Sequence, residues 1–144
     1  MKKVYLIPVI LLLFACNSTK KVSESEKINS SLYTILHSAS YQGRETESNL
    51  IIDSQEELED LYLSVGKKIT PKINFSKSQV VALFLGTKNT GGYNISVDKV
   101  EEENGKIIIY KKIETPEAGG MATMALTNPF VIAEIHSKKE IIFK

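Results

Sequence analysis

The sequence lacks several features that small exported domains and reactive centres commonly use. It has one cysteine in 144 residues, which excludes a disulfide within the chain, and it has no tryptophan. With 42% hydrophobic residues, the chain is long enough for one domain that is stabilised by its core alone. Without Lys2 and Lys3 it would carry 16 basic and 17 acidic side chains. Because this balance leaves no basic stripe, we expect no nucleic-acid partner.

A long apolar run is also missing. The N-terminal run from Val4 to Ala15 has 12 residues, whereas a membrane-spanning helix needs about 20. A charged start followed by a short apolar stretch is typical of a secretory signal peptide. The cysteine follows directly, in Leu13-Phe14-Ala15-Cys16. This segment resembles the bacterial lipoprotein signal, in which the thiol is acylated and the chain is cut just before the cysteine.

We therefore predict three parts: a lipoprotein signal peptide at residues 1–15, a flexible tether at 16–31 and a single domain at 32–144. The tether is rich in small polar residues, which cannot bury enough surface to offset the entropy of ordering. A lipid on Cys16 would hold the domain on a membrane of the bacterial cell envelope, on its periplasmic or cell-surface side. The alternative is an ordinary signal peptide with an unmodified thiol.

The loop from Gly86 to Tyr93 divides two predicted strands. The run from Val80 to Leu85 is typical of a strand that is covered on both faces, and the alternating run from Tyr93 to Val97 of a strand covered on one. The adjacent Gly91 and Gly92 permit a sharp bend and close backbone approach. The spacing of Gly86 and Gly91 resembles a phosphate loop, but neither the Lys-Ser/Thr pair nor a following helix is present.

The rest of the chain predicts one helix among strands. Asp53 and Ser54 can each cap a helix that carries an apolar stripe at residues 58, 61, 62 and 65 and stops at Gly66. Asn104-Gly105 predicts a tight hairpin, and the broken alternation near Asp98 predicts a bulge. Strands are expected at 32–38, 48–52, 80–85, 93–103, 107–113, 130–136 and 140–143. The fold class is α+β: a mostly antiparallel sheet of about six to seven strands, curled or partly closed, with one packed helix.

No residue pattern predicts catalysis, a metal site or a cofactor. His37 and His136 lie on predicted strands, and Glu134 shares a face with His136, but no third ligand or recurring ligand spacing is present. No serine stands in a strand–Gly-x-Ser-x-Gly–helix context. We therefore expect a protein that is not an enzyme. An enzyme would require at least two of His37, His136, Glu134 and Asp98 to converge in a concave pocket.

Several motifs carry a family resemblance that runs from about Gln79 onward. They are Val80-Val81-Ala82-Leu83-Phe84-Leu85-Gly86, Thr90-Gly91-Gly92-Tyr93, Pro116-x-x-Gly119 and Thr127-Asn128-Pro129-Phe130. Together they resemble the C-terminal domain of the PrcB family, which is named for a subunit of a bacterial cell-surface protease complex. The resemblance implies a non-catalytic accessory domain that helps a protease assemble or remain stable on the envelope. The protein partner would then be an envelope protease or another envelope protein.

The same resemblance supplies six candidate partner-binding residues, which are Thr90, Gly91, Gly92, Tyr93, Pro129 and Phe130. Three more candidates, Asn89, Gly119 and Gly120, come from a second resemblance described next. A shape-determining role is the alternative for the glycines, and a core role is the alternative for Tyr93. A Thr-Gly-Tyr loop between strands also resembles the chagasin-type inhibitors of cysteine proteases, which wedge several loops into an active-site cleft. That resemblance implies that the loop at 89–93 and the Gly119-Gly120 segment are neighbours.

Overall fold

The structure, a computed structural model, describes residues 32–117, 119 and 123–144. The predicted signal peptide, the tether and Cys16 therefore lie outside the described residues. Within the described part, seven strands and one helix follow in the order β1, β2, α1, β3, β4, β5, β6 and β7. Their bounds are β1 Tyr33–Ala39, β2 Glu47–Ile52, α1 Gln55–Ser64, β3 Gln79–Leu85, β4 Asn94–Glu103, β5 Lys106–Glu114, β6 Phe130–Ile135 and β7 Ile141–Phe143.

The strands form two stacked sheets. Four strands pair antiparallel in the order β1-β6-β3-β2, and three strands lie in the order β4-β5-β7. The β4–β5 pair is antiparallel, whereas β5 and β7 run parallel. The predicted α+β class with mostly antiparallel pairing and one helix is confirmed. The described strands are divided between two sheets and do not close into a barrel.

Strand β3 lies at the centre because it is buried on both faces. Val81, Leu83 and Leu85 pack against the three-stranded sheet in one apolar cluster. Val80 and Phe84 pack with α1 and β6 in a second cluster. Every residue of β3 is buried, as the continuous apolar run predicted. Three layers result: the helix, the four-stranded sheet and the three-stranded sheet.

Helix α1 begins and ends as its sequence predicts. Of the two candidate caps the structure uses Ser54, whose Oγ accepts a hydrogen bond from the Glu57 N–H at 3.2 Å. The Glu57 carboxylate in turn accepts from the Asp53 N–H at 3.1 Å. The predicted stripe at residues 58, 61, 62 and 65 is buried against the four-stranded sheet, and Gly66 follows with a φ of 73°. No helix among the described residues is long and apolar enough to cross a membrane.

The β4–β5 hairpin also follows its sequence signals. Asn104 and Gly105 take φ values of 51° and 77°, as a type I′ turn requires. A register shift between Val97 and Lys99 is the predicted bulge. The parallel position of β7 was not predicted. The buried Gln79 side chain stabilises the turn before β7, since its Nε2 donates to the carbonyls of Ser137 and Lys139 at 3.0 and 2.9 Å.

The strand pairings give the domain two chemically different ends. We call one the loop end. The loops at residues 40–46, 86–93 and 115–129 all connect to strands at this end, where the ends of those strands pair with each other. We call the opposite end the base, where β1 begins. Among the described residues, three ion pairs join different elements at the base: Lys138–Asp53, Lys139–Glu102 and Lys106–Glu140.

We predict that Phe130→Ala destabilises the domain by about 3–5 kcal/mol, because Phe130 is 1% exposed and its ring stacks on Phe84 at 5.6 Å between ring centroids. Urea unfolding monitored by circular dichroism measures this change. The control Met124→Ala should change the free energy of unfolding by less than about 0.5 kcal/mol, since Met124 is 96% exposed. Equal effects of the two substitutions would contradict the assigned core.

Candidate functional site

The candidate site is the loop end, where three loops lie together. Ala39, before the first loop, pairs with Phe130, which follows the third loop. Leu85, before the second loop, pairs with Glu47, which follows the first. The ends of β4 and β5 meet where Asn94 pairs with Glu114. Loops that are distant in sequence are thus brought to one end by sheet pairing, as in many binding sites on a β scaffold.

Gly86 starts the second loop in a conformation that other residues rarely adopt. Its φ is 75°, and a Cβ there would lie 2.9 Å from the backbone nitrogen of Glu47. The next residue, Thr87, donates its N–H to the Glu45 carbonyl at 2.9 Å. The first and second loops are therefore fixed to each other at the point where β3 ends.

The second and third loops are joined by an isolated antiparallel bridge between Lys88 and Thr127. The two residues exchange backbone hydrogen bonds of 2.8 and 2.9 Å. Thr127 is fully enclosed, and its Oγ1 donates to the Thr90 carbonyl at 3.1 Å. The Asn128 amide donates to Thr87 Oγ1 at 2.8 Å. These bonds pair polar groups that would otherwise be buried without partners, so they hold the loop in one shape.

The two adjacent glycines are in close contact with the third loop. The Gly91 N–H donates to the Thr123 carbonyl at 2.9 Å, and a Cβ at Gly91 would overlap Thr123 Oγ1. Gly92 has a φ of 89°, and a Cβ there would lie 2.9 Å from Pro116 Cβ. Both glycines therefore shape the loop. The 89–93 loop was predicted to lie near the Gly119-Gly120 segment. The structure shows contacts of this loop with the residues on either side of that segment, from Gly92 to Pro116 and from Gly91 to Thr123.

The other predicted contact residues of the second loop are open to solvent to different degrees. Asn89 is exposed, whereas Thr90 and Tyr93 are half-buried. Tyr93 packs against the cluster between the sheets, and Lys88 Nζ lies 5.8 Å from the centre of its ring. Such a cation–π contact contributes about 0.5–1 kcal/mol at an exposed site. Tyr93 thus combines a core contact with a surface position.

Two predicted contact residues of the third loop are buried instead. Phe130 is part of the cluster under α1, so its prediction as a partner contact is wrong. Pro129 is also buried, and its carbonyl accepts the Leu85 N–H at 2.9 Å. Their surroundings leave no side-chain surface for a partner. Both residues instead fix the start of β6 through contacts within the domain. Gly119 is exposed with a φ of 83°, and Gly120 lies outside the described residues.

Sequence reasoning missed a group of exposed apolar side chains at the loop end. They are Tyr41, Ile113, Met124 and Leu126. Met124 and Leu126 flank Ala125, whose N–H donates to the Thr123 carbonyl at 2.9 Å. The only sequence signal was the small apolar run at 121–126, whose pattern did not distinguish a strand from a helix. Contiguous patches of exposed apolar side chains mark protein-binding surfaces, and these four side chains are the candidates for such a patch at the loop end.

The titratable residues considered for catalysis lie outside the cleft beside α1. That cleft is lined by Arg44, Glu57 and Asp60 and by apolar residues, and none of His37, His136, Glu134 and Asp98 lines it. His136 Nε2 lies 4.0 Å from a Glu134 carboxylate oxygen and 3.2 Å from Thr34 Oγ1. Within the described ranges, no three His, Cys, Asp or Glu side chains are grouped closely enough to hold a metal ion.

His37 lies in the wall beneath the loop end. Its ring is 5.5 Å from that of Phe130, and its buried Nε2 has no hydrogen-bond partner in the described part of the chain. Burial lowers the pKa of His37, and the positive charge of Lys67 lowers it further. The neutral form is therefore favoured in the folded protein.

We predict that Gly92→Ala destabilises the domain more than Gly105→Ala. Both residues have positive φ, which costs an alanine about 1–2 kcal/mol. Only Gly92 also meets a close neighbour, because a Cβ at Gly105 has nothing within 4 Å. Urea unfolding should show that the free energy of unfolding falls by about 1 kcal/mol in Gly105→Ala and by at least about 2 kcal/mol in Gly92→Ala. Equal values would mean that the contact with Pro116 is absent in solution.

We predict that the folded state loses stability as the pH falls below the ordinary histidine pKa of 6.5, in part through His37. Because its folded-state pKa is lowered, the unfolded chain takes up the proton first, so the contribution is complete above 6.5 and is lost toward the lower folded-state pKa. His37→Leu should therefore reduce the loss of unfolding free energy between pH 7.5 and pH 5. His136→Gln should retain the His37 contribution. The same slope in wild type and His37→Leu would refute the assignment.

Comparison with known families identifies the segment that contains this end. The family model described as PrcB C-terminal matches residues 79–136. The match begins at the first residue of β3, includes the second and third loops and ends directly after β6. No curated protein matches the chain, and no solved structure matches it. Over residues 79–136, the chain is therefore similar to the PrcB C-terminal family.

Proposed function

We propose that this protein is a lipid-anchored accessory protein of the bacterial cell envelope that acts by binding another protein through the loop end. Its partner is an envelope protease or a protein of the same complex, and binding helps that complex to assemble or to remain stable. The observation that carries the proposal is the position of Met124 and Leu126. Both are exposed apolar side chains on a segment that backbone hydrogen bonds fix to the second loop.

A fixed surface suits a stable contact because little conformational freedom is lost on binding. Backbone hydrogen bonds already join the two loops. Lys88 and Thr127 exchange two of them, and the Gly91 N–H donates one to the Thr123 carbonyl. The surrounding rim is polar, with Asn89 exposed beside them. An apolar centre with a polar rim is the arrangement that protein interfaces commonly have.

The position of the chain entry supports the anchor in this proposal. Tyr33, the first residue of β1, pairs with Ile135 at the base, so a tether that ends at residue 31 enters at the end opposite the loops. A domain held on a membrane through Cys16 would present its loop end away from that membrane. The family supports the partner class, since PrcB names a subunit of a protease complex.

Pull-down of the full chain from its native membranes after mild crosslinking tests the proposal. We expect the wild-type chain to recover a protease or another envelope protein. Leu126→Asp should lower the recovered amount about tenfold, which corresponds to about 1.4 kcal/mol of binding free energy, because a carboxylate would be placed in an apolar contact. The matched control is Leu63→Asp, since Leu63 is 64% and Leu126 67% exposed. Leu63 lies on α1, so its variant should recover the partner as wild type does.

Recovery of the bare lipoprotein alone would contradict the proposed function, and so would an equal loss in both variants. The anchor has its own control. In cells grown with labelled palmitate, the wild-type chain should carry the label and Cys16→Ala should not, because a single thiol is the acylation point in this reading. Equal labelling of the two chains, or no labelling of either, would contradict the lipid anchor.

The neighbouring loops also favour a second function, inhibition of cysteine proteases. Chagasin-type inhibitors insert several loops into an active-site cleft, and here the Gly91 N–H bonds directly to the third loop at Thr123. In this reading the 89–93 loop and the segment around Gly119 would enter the protease together. The full chain should then slow papain at micromolar excess, and Leu126→Asp should weaken that effect. No inhibition at that excess would remove this second function.

A further inference from the structure

Sheet edges expose unpaired backbone groups, and proteins usually protect them. Each sheet of this domain has two edge strands, which are β1 and β2 in one and β4 and β7 in the other. Strand β1 has a register shift between Ile35 and His37. Strand β4 has the bulge at Val97–Lys99 and ends in three glutamates. Strand β7 has three residues. Three of these four edges therefore have a bulge, charge or short length that hinders pairing.

Strand β2 has no bulge and is not short. Its six residues pair with β3 without a register shift, from Glu47 opposite Leu85 to Ile52 opposite Val80. It contains neither lysine nor proline, and Glu47 is its single charged residue. Among the described strands, β2 has β3 as its sole neighbour. Alternate N–H and C=O groups along its outer edge are therefore directed away from the sheet.

A cleft of about 450 Å³ runs along this edge, between β2 and α1. Its apolar wall is formed by Leu50, Ile51 and Leu61. Its charged groups are Asp60 and Glu57 on α1 and Arg44 toward the loop end. Arg44 lies over the Phe84 ring at 5.2 Å from the centroid, whereas the Asp60 carboxylate has no ion-pair partner among the described residues. The cleft beside the strand is therefore apolar with an acidic side.

We propose that β2 accepts an extended segment of another polypeptide as a fifth strand of its sheet, and that this segment has alternating apolar and basic residues. Backbone hydrogen bonds to the outer edge of β2 would provide affinity, as in other cases of strand addition. Apolar side chains of the segment lie on the sheet face away from α1 and pack against Ile51, while its basic side chains lie on the α1 face. A basic side chain reaches Asp60 and Glu57. Six residues of β2 span about 20 Å, which matches a segment of five or six residues.

Charge argues against a second copy of this chain as the occupant. A second copy of β2 would bring no lysine or arginine within the paired strand, because Glu47–Ile52 contains none. Each copy would bring two acidic residues, Glu57 and Asp60, and one basic residue, Arg44, toward the shared edge, so the two copies would meet with a net negative charge. A heterologous segment with a basic residue avoids this repulsion. The contact uses no residue of the second or third loop, so it is independent of the proposed function.

The test uses the full chain in detergent and a six-residue peptide of alternating lysine and valine, acetylated and amidated at its ends. We expect saturable binding, together with slower hydrogen exchange at the backbone amides of β2. Ile51→Lys should weaken binding at least about tenfold, because a lysine on an edge strand hinders pairing. The matched control is Ile35→Lys, since Ile35 and Ile51 are both 43% exposed on edge strands of the same sheet. It should bind within about twofold of wild type.

Two further arms separate the backbone and charge contributions. A peptide with alternate N-methyl amides lacks the N–H groups for the backbone hydrogen bonds to β2 and should not bind. Asp60→Lys should weaken binding of the lysine–valine peptide, whereas the control Asp98→Lys should not. No slowing of exchange in β2 at millimolar peptide would overturn the proposal, as would equal losses in the Ile51 and Ile35 variants. Dimerisation of the wild type that Ile51→Lys abolishes would also overturn it, because a second copy would then occupy the edge.

Discussion

Burial of β3 on both faces is the constraint on which the rest of the domain depends. Successive residues of Gln79–Leu85 face opposite ways, so one strand contributes to the cluster under α1 and to the cluster between the sheets. Each large apolar side chain buried there contributes about 1.5–3 kcal/mol. Because the chain has a single cysteine, no internal disulfide supplements this core. Helix α1, the neighbouring strands of the same sheet and the three-stranded sheet together cover β3.

The shape of the loop end follows from the way β3 leaves the core. Gly86 turns the backbone at positive φ against Glu47, and the chain then pairs with the third loop through Lys88 and Thr127. The backbone groups of the second loop thus find partners in the protein, and the loop needs no regular strand to satisfy them. Met124 and Leu126 remain exposed on this frame. The opposite end is different, because ion pairs with Lys138 and Lys139 cover the base.

Much of the local structure could be predicted because its causes are local. The Ser54 cap and the stripe from Leu58 to Val65 indicate the helix, since both depend on contacts within a few residues. Asn104-Gly105 determines its turn for the same reason. The candidate site was found only in part. Thr-Gly-Gly-Tyr marked a loop that the structure places at the loop end, and its partner-binding role stays a prediction. Phe130 lies in the core, which the sequence did not show, because a short apolar strand start does not reveal whether its first ring points to core or solvent.

The sequence alone determined the elements, the hairpin, the bulge and the doubly covered character of β3, since each arises from spacing along a short segment. The tertiary structure decided which elements meet. It placed the third loop beside Gly91, paired β7 parallel to β5, divided the strands between two sheets and left β2 at a sheet edge. These outcomes depend on contacts between residues far apart in the chain, such as Ile107 with Ile141. They are selected by the packing of the whole core and not by any one stretch of sequence.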